Sequence, residues 1–476
     1  MNPNNILLYN NYKLLSIAFL FFVVTSSLTA NDNSGSYLDK SLLVEKISVK
    51  GNFRTKRSVI MSELLFKEGD YIVLKELSEN FNRSKENINN TLLFNYVDIV
   101  YDFVTPNSIE VQVNVEERWY LWVFPLFEAE GRNFADFLRV NDGGNFNYGL
   151  YLKHNNFVGR KTELRLRFIT GYKTQAILEY RKPALNQDYG WGAKMIYQYH
   201  DKIAYSTLDD RQIFLKTSGK MLLREVTGHL YYFYRYNLDH RHSVEFSVSD
   251  LTIADTLSKV QPDYLINGEL NNKIANVKYG YNYDKRDSKI YPLSGYDLKF
   301  NYAFRGMPFD GSYSGFTQMQ LEGSYQQRIY NRFYGGSYAK LSLIDKSRVP
   351  YFFKTGMGYE EYINGFEYNV IDGNSFALVK NKMLFELIER KDYHLNWMPI
   401  RQFARFYYSL FFKVNLDLAY VNNRFPTPEN YMSNDLLIGY GVGLDFITIY
   451  DQVWSLNYSF NNYGIHGIYF HFNITL

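Results

Sequence analysis

Cysteine is absent from the 476 residues, which excludes disulfides, thiolate metal centres and cysteine nucleophiles together. An excess of one charge is missing as well. The 52 Lys and Arg stand against 49 Asp and Glu, a formal net charge of +3, so there is no electrostatic footprint for nucleic acid. Long apolar runs are missing beyond the N-terminus, and mean hydropathy is −0.33. A polytopic helical membrane protein, which needs ~20 mostly apolar residues per span, is thereby excluded. Proline is sparse, at 11. Aromatics are abundant instead: 45 Tyr, 37 Phe and 5 Trp. Many aromatics at low mean hydropathy fit strands that show one face to an apolar medium and the other to water.

Residues 1–30 read as an export signal, with Lys13 as the one charge before an apolar core over 14–24. Thr25, Ser26, Ser27 and Ala30 supply the small residues expected ahead of cleavage, placed here after Ala30. A single membrane anchor is the alternative, although the run is short for a span. Without cysteine no bridge forms in an oxidising compartment, so stability must come from packing or membrane insertion.

A polar linker over 31–42 leads to a small α+β module over 43–118. Residues 44–49 alternate and end at Gly51-Asn52, a strand followed by a turn. Two helices are expected next, one capped by Thr55 over 58–65. The other covers 74–94, where Leu77, Phe81, Ile88 and Leu92 recur near helical spacing. Strands over 96–104 and 109–115 follow, joined at Pro106-Asn107. The order is β-α-α-β-β.

From residue 119 to 476 period-2 segments recur with turn residues between them. Tyr296, Leu298, Phe300, Tyr302 and Phe304 share one face against Asp297, Lys299, Asn301 and Ala303. Ile468, Phe470, Phe472, Ile474 and Leu476 oppose Tyr469, His471, Asn473 and Thr475. A soluble sandwich also alternates. Charges kept to one face of strand after strand favour a transmembrane barrel, because only a closed sheet pairs every backbone group in lipid. At ~22 residues per strand with its loops, this length yields about 16 antiparallel strands. The segments number about 17 by inspection, and 212–217 is assigned to a hairpin outside the membrane.

Two stretches carry a family resemblance. Asp284, Arg286 and Asp287, then Pro292 and Gly295, form a charged strand end, a Pro-fixed turn and a Gly-led strand. Ile363-Asn364-Gly365-Phe366 is followed by Asp372-Gly373 and Phe376-Ala377-Leu378. With the β-α-α-β-β module, they resemble the BamA/TamA-type outer-membrane assembly and translocation barrels, a POTRA domain followed by a bacterial surface antigen barrel. The resemblance implies that the second stretch folds back into the lumen, where a loop arginine reaches luminal carboxylates. Glu386 and Asp417 match those carboxylates, with simple solvation in the lumen as their alternative. The arginine position here is Asn364, which can hydrogen-bond a carboxylate but cannot make the bidentate charged pair. Lys380, Lys382 and Lys413 are then expected to neutralise the carboxylates, leaving the loop held by Gly365 and Phe366.

Catalytic chemistry is hard to find. Gly311-Ser312-Tyr313-Ser314-Gly315 has Tyr where a nucleophile elbow needs Ser. Gly439, Gly441 and Gly443 sit inside a strand and read as small-residue packing, not a dinucleotide turn. Asp239-His240-Arg241-His242 reads as a polar turn in preference to a metal site. The expectation is a non-enzyme without cofactor or metal.

The resemblance implies a bacterial outer-membrane protein with its POTRA-like module in the periplasm. The partners it implies are outer-membrane lipid, unfolded outer-membrane or secreted clients, and accessory lipoproteins. The module would capture clients by β-augmentation along an edge carrying Tyr96, Asp98, Val100 and Asp102. The first and last strands would form a lateral gate, with Gly464, Gly467, Phe470, Phe472 and Leu476 at the seam. A secretion pore for one partner protein, or a passive anchor of a surface complex, are the competing roles.

Overall fold

The computed structural model describes residues 40–129, 146–171, 173–217, 219–354, 356–359 and 361–473. The export signal, most of the linker and Leu476 lie outside the described residues.

The N-terminal module comprises β1 (Ser41–Lys50), α1 (Arg57–Met61), β2 (Tyr71–Val73), α2 (Leu74–Asn89), β3 (Phe94–Thr105) and β4 (Ser108–Glu117). Its sheet runs β2-β1-β4-β3, with β1 and β4 parallel and β3 antiparallel to β4. Alternation puts Ile109, Val111, Val113 and Val115 of β4 into the core, where Leu77, Phe81 and Ile88 of α2 meet them. The short β2 is absent from the sequence-based expectation. Thr55 does not cap α1, whose N-cap is Lys56 without a side-chain bond. Its buried hydroxyl instead bonds Tyr120 Oη at 2.9 Å and accepts from Asn156 Nδ2 at 2.9 Å.

The rest is one antiparallel sheet of sixteen strands. It starts with β5 (Leu121–Ala129), β6 (Phe146–His154), β7 (Glu163–Gly171), β8 (Lys173–Lys182) and β9 (Asp188–His200). A detached hairpin, β10 (Lys202–Leu208) with β11 (Arg211–Lys216), forms its own two-stranded sheet. The assignment of 212–217 outside the barrel therefore holds, and the excess segment is explained. The barrel resumes with β12 (Leu223–Arg235), β13 (His240–Ile253), the short helix α3 (Asp255–Val260), β14 (Asn271–Asp284) and β15 (Gly295–Pro308). It continues through β16 (Phe316–Tyr330), β17 (Phe333–Ile344), β18 (Ser375–His394), the single turn α4 (Arg401–Ala404) and β19 (Arg405–Asn422). The last strands are β20 (Leu436–Thr448), β21 (Gln452–Asn461) and β22 (His466–Asn473).

The period-2 pattern sorts side chains as expected. Leu298, Tyr302, Leu416, Val442, Leu456 and Phe470 are exposed on the outer wall, whereas Asp297, Lys413, Asp417 and Asp445 are buried inside. Large apolar residues on the outer face of such a sheet are what a lipid-facing wall requires. No helix among the described residues is long and apolar enough to cross a membrane, which says nothing about strands.

Candidate functional site

The longest connection, 345–374, enters the barrel from the end opposite the module. Asn364 lies against β19: its backbone N–H and its Nδ2 both donate to Asp417 Oδ2, at 3.0 and 2.7 Å. Gly365 takes φ +82°, and a Cβ there would come within 2.5 Å of the Phe460 carbonyl oxygen. That is a position for glycine alone. Its own carbonyl accepts from Asn461 Nδ2 at 2.6 Å. Ile363 and Phe366 are buried with Met357, Phe376, Leu378, Ala419 and Leu437. The loop is thus seated by one carboxylate, one glycine and an apolar plug. Tyr362 stacks on His471 of β22 at 5.1 Å and shares a 3.0 Å hydrogen bond with its Nδ1.

Gly439 is the residue that sequence reasoning undervalued. A Cβ on it would fall on the Asn364 carbonyl oxygen, so the bare backbone of β20 makes room for the loop. The signal was present as three alternate glycines on a luminal face.

Several expectations need correction. Glu386 does not reach the loop. Its Oε2 accepts from Tyr334 Oη at 3.4 Å, and its backbone N–H bonds Arg332 O at 2.9 Å, towards the module end of β18. Lys413 pairs with Asp445 at 2.6 Å, not with Asp417 or Glu386. Lys382 lies over the Tyr291 ring at 5.0 Å. Lys380 sits opposite Asp417 in the ladder and its charge acts on that carboxylate as expected, while its ammonium also lies 3.7 Å from Glu361 and 4.9 Å from the Tyr362 ring. Parity identified luminal residues correctly, but it carries no information about height along the barrel, which decides partners.

The Asp284 to Gly295 turn is a compact structural unit. Arg286 clasps Asp284 at 2.9 and 3.1 Å, while Asp287 Oδ1 accepts from the Ser288 and Leu293 N–H groups at 2.8 and 3.1 Å. Pro292 lies between those two anchor points. Gly295, at φ +97°, has the Lys285 carbonyl where a Cβ would stand.

The module is fastened across the barrel mouth by contacts to several turns. Glu63 and Arg235 form a bidentate pair at 2.7 and 2.8 Å, each side chain only 4% exposed. Burial pushes the Glu63 carboxyl up, but Arg235 outweighs it and holds the group below the usual carboxylate range. Arg118 pairs with Asp451 at 2.6 Å, Arg405 with Glu116 at 3.1 Å, and Asn90 Nδ2 donates to Asp287 O at 3.1 Å.

β3 is an edge strand of the module sheet. Its first half is occupied: Arg405 stacks on Tyr96 at 4.1 Å, Lys85 pairs with Asp98 at 2.7 Å, and Asn95 Nδ2 donates to Gln402 O at 2.6 Å. From Val100 through Asp102 to Thr105 every side chain is exposed. The available edge is therefore shorter than the stretch holding Tyr96, Asp98, Val100 and Asp102. At the seam, no backbone pairing joins β5 to β22 among the described residues. Gly464 takes φ +77° in the turn before β22, whereas Gly467 is a regular member of that strand, opposite Ser459.

At the far end, the β10–β11 hairpin covers the loop. Thr207 Oγ1 donates to Asp372 Oδ1 at 3.1 Å, Val370 N–H to Asp210 O at 2.7 Å, and Asn430 Nδ2 to Thr207 O at 2.9 Å. Burial raises the Asp210 carboxyl to about 6, with two backbone N–H donors opposing and Asp372 and Asp209 reinforcing.

Comparison with known proteins agrees with this architecture. Residues 156–474 match the Omp85 superfamily domain, and 42–118 match the POTRA family described as surface antigen variable number repeat. Among solved structures, BamA from Haemophilus ducreyi lacking POTRA domains 1–3 is similar at 13% identity and TM-score 0.50, covering 90% of this chain and 84% of that one. CdiB from Escherichia coli is similar at 13% identity and TM-score 0.55, covering 91% and 76%. CdiB from Acinetobacter baumannii follows at 13% identity and TM-score 0.51, covering 90% and 73%. No curated protein matches in sequence. With an outer wall suited to lipid, a single α+β module at one mouth and a loop seated in its lumen, this chain belongs to the Omp85 superfamily of bacterial outer-membrane barrels.

Proposed function

We propose that this protein inserts or translocates client polypeptides at the outer membrane, its module lying in the periplasm. A client segment adds to the sheet along the free half of β3, from Val100 to Thr105, through backbone hydrogen bonds that demand little of its sequence. It then meets the β5 and β22 edges, where backbone N–H and C=O groups not paired across the seam among the described residues offer a template for an incoming strand. The observation that carries this reading is the absence of β5–β22 pairing among the described residues, in a sheet otherwise paired through sixteen strands. No nucleotide is required, because client folding supplies the driving force as backbone groups find partners in lipid.

Conditional depletion tests the reading. Broad loss of outer-membrane proteins supports insertion, loss of one secreted protein supports a dedicated export pore, and an unchanged proteome leaves an anchoring role. A seam lock adds specificity. The chain has no native cysteine, so cysteine pairs scanned across residues 121–127 and 468–472 report only on the strands they bridge. Oxidised pairs should reproduce depletion, and reductant should relieve it; full activity with a locked seam rejects the lateral route.

A further inference from the structure

Where the module meets the barrel, basic side chains outnumber acidic ones around a partly open space. A cavity of about 390 Å³ lies there, lined by Lys161, Arg235, Arg241, Lys289 and Lys299 and by no carboxylate. A narrow cleft continues from it past Lys161, Arg241 and Lys289 to Glu63 and Asp284. Those two carboxylates are already engaged. Arg235 uses both oxygens of Glu63, and Arg286 uses both of Asp284. Lys299 lies within 3.7 Å of Asp297 and 3.6 Å of Glu322. Lys161 and Lys289 are different: no ion pair or side-chain hydrogen bond reaches either ammonium among the described residues.

The two lysines are also held in place. Lys161 adopts φ +60°, unusual for a residue with a side chain. Its N–H donates to Asn156 Oδ1 at 2.8 Å, and the Asn156 amide is in turn bonded to Thr55 of the module. The Lys289 N–H donates directly to Asn90 Oδ1 at 2.9 Å. The docked module thus positions both lysines beside the same cavity, next to Arg241. Both lysines are half-buried, and charge drawn out of water normally has a close partner.

We propose that this cavity is a binding site for a phosphate-bearing anion, held by Lys161, Arg241 and Lys289, whose occupancy clamps the module to the barrel. Three donors beside carboxylates that Arg235 and Arg286 already engage suit a multiply charged oxyanion, which arginine and lysine bind through charge-assisted hydrogen bonds. Burial, together with the positive charge of Arg241 and Lys161, draws Lys289 well below the ordinary lysine range, and burial also lowers Lys161. A bound anion would oppose both effects by favouring the charged ammonium. The anion is either free phosphate or the headgroup of a lipid reaching between the turns.

The test uses the full chain in a neutral detergent, freed of phosphate and titrated calorimetrically. One arm adds inorganic phosphate and the other short-chain phosphatidic acid, with phosphatidylcholine and chloride at matched ionic strength as controls. Saturable binding of phosphate identifies a free-anion site; binding of phosphatidic acid alone identifies a headgroup site. In either case Lys161→Gln with Lys289→Gln should weaken affinity at least tenfold. No saturable binding in either arm, or undiminished binding by the double variant, overturns the proposal. Lys289→Met provides a check that does not depend on finding the ligand. Removing a half-buried ammonium that no ion pair or side-chain hydrogen bond reaches among the described residues should raise the melting temperature in phosphate-free buffer and abolish any further rise on adding phosphate. A lower melting temperature for Lys289→Met would count equally against the site.

Discussion

Glu63 and Arg235 show how much one contact can govern. Both are almost fully buried and each satisfies the other bidentately. Removing one partner strands the other, a loss of about 3–5 kcal/mol in buried pairs. Arg235→Ala should therefore release the module, whereas an exposed pair such as Arg57–Glu68 should matter little. The pH response has a defined sign. Because Glu63 titrates below its ordinary range when docked, its contribution is complete above that range. It is lost as pH falls through the lowered value. Spin labels at Lys50 and Arg401 should report a fixed separation at neutral pH. In acid, and in Arg235→Ala at neutral pH, the distribution should broaden; an unchanged one would contradict the clamp.

At the scale of elements, the luminal loop and its cover behave as separate devices. Gly439→Val places atoms where the Asn364 carbonyl lies, so the loop should leave its seat while the barrel persists. Overpacking of this kind costs about 1–3 kcal/mol. Protease should then cut within 345–374 in the variant and spare the wild type, while the barrel retains its heat-modifiable gel mobility. The hairpin cover depends on pH in the opposite sense to Glu63. A carboxyl raised to about 6 favours the closed arrangement when protonated, so closure weakens as pH rises through about 6. Protection of 202–216 from hydrogen exchange, corrected for the intrinsic rise of exchange with pH, should fall as pH rises towards about 6, and Asp210→Asn should remove that fall. The sequence revealed the strands well, because lumen and lipid impose a period of two on Tyr296 to Phe304 or Ile468 to Phe472. It concealed β10, whose short run ends at Asp209-Asp210 without a clear apolar face. It also left Glu386 apparently equivalent to Asp417, although their different heights give them different neighbours.

On the scale of the whole molecule, what the sequence hid is long-range pairing. Glu63 with Arg235, Arg118 with Asp451 and Asn90 with Asp287 join residues far apart along the chain, and no local spacing announces such contacts. The family resemblance rested on 284–295 and 363–378, both of which are seated by glycines that tolerate no side chain, Gly295 and Gly365. Seen end to end, the lumen holds a loop from one side and faces a docked module on the other, leaving an internal cavity of about 590 Å³. Planar-bilayer recordings of the full chain should give small conductance, and deletion of 349–370 should enlarge it; equal currents would show that the loop does not obstruct ions.

The fastening of Asn95 to Gln402 and of Tyr96 to Arg405 also bears on the proposed client route. If clients are handled as proposed, the lower doorway offers no straight shaft while the module is docked. The lateral route then predicts a sideways approach along the open flank of the module and a turn towards the bilayer.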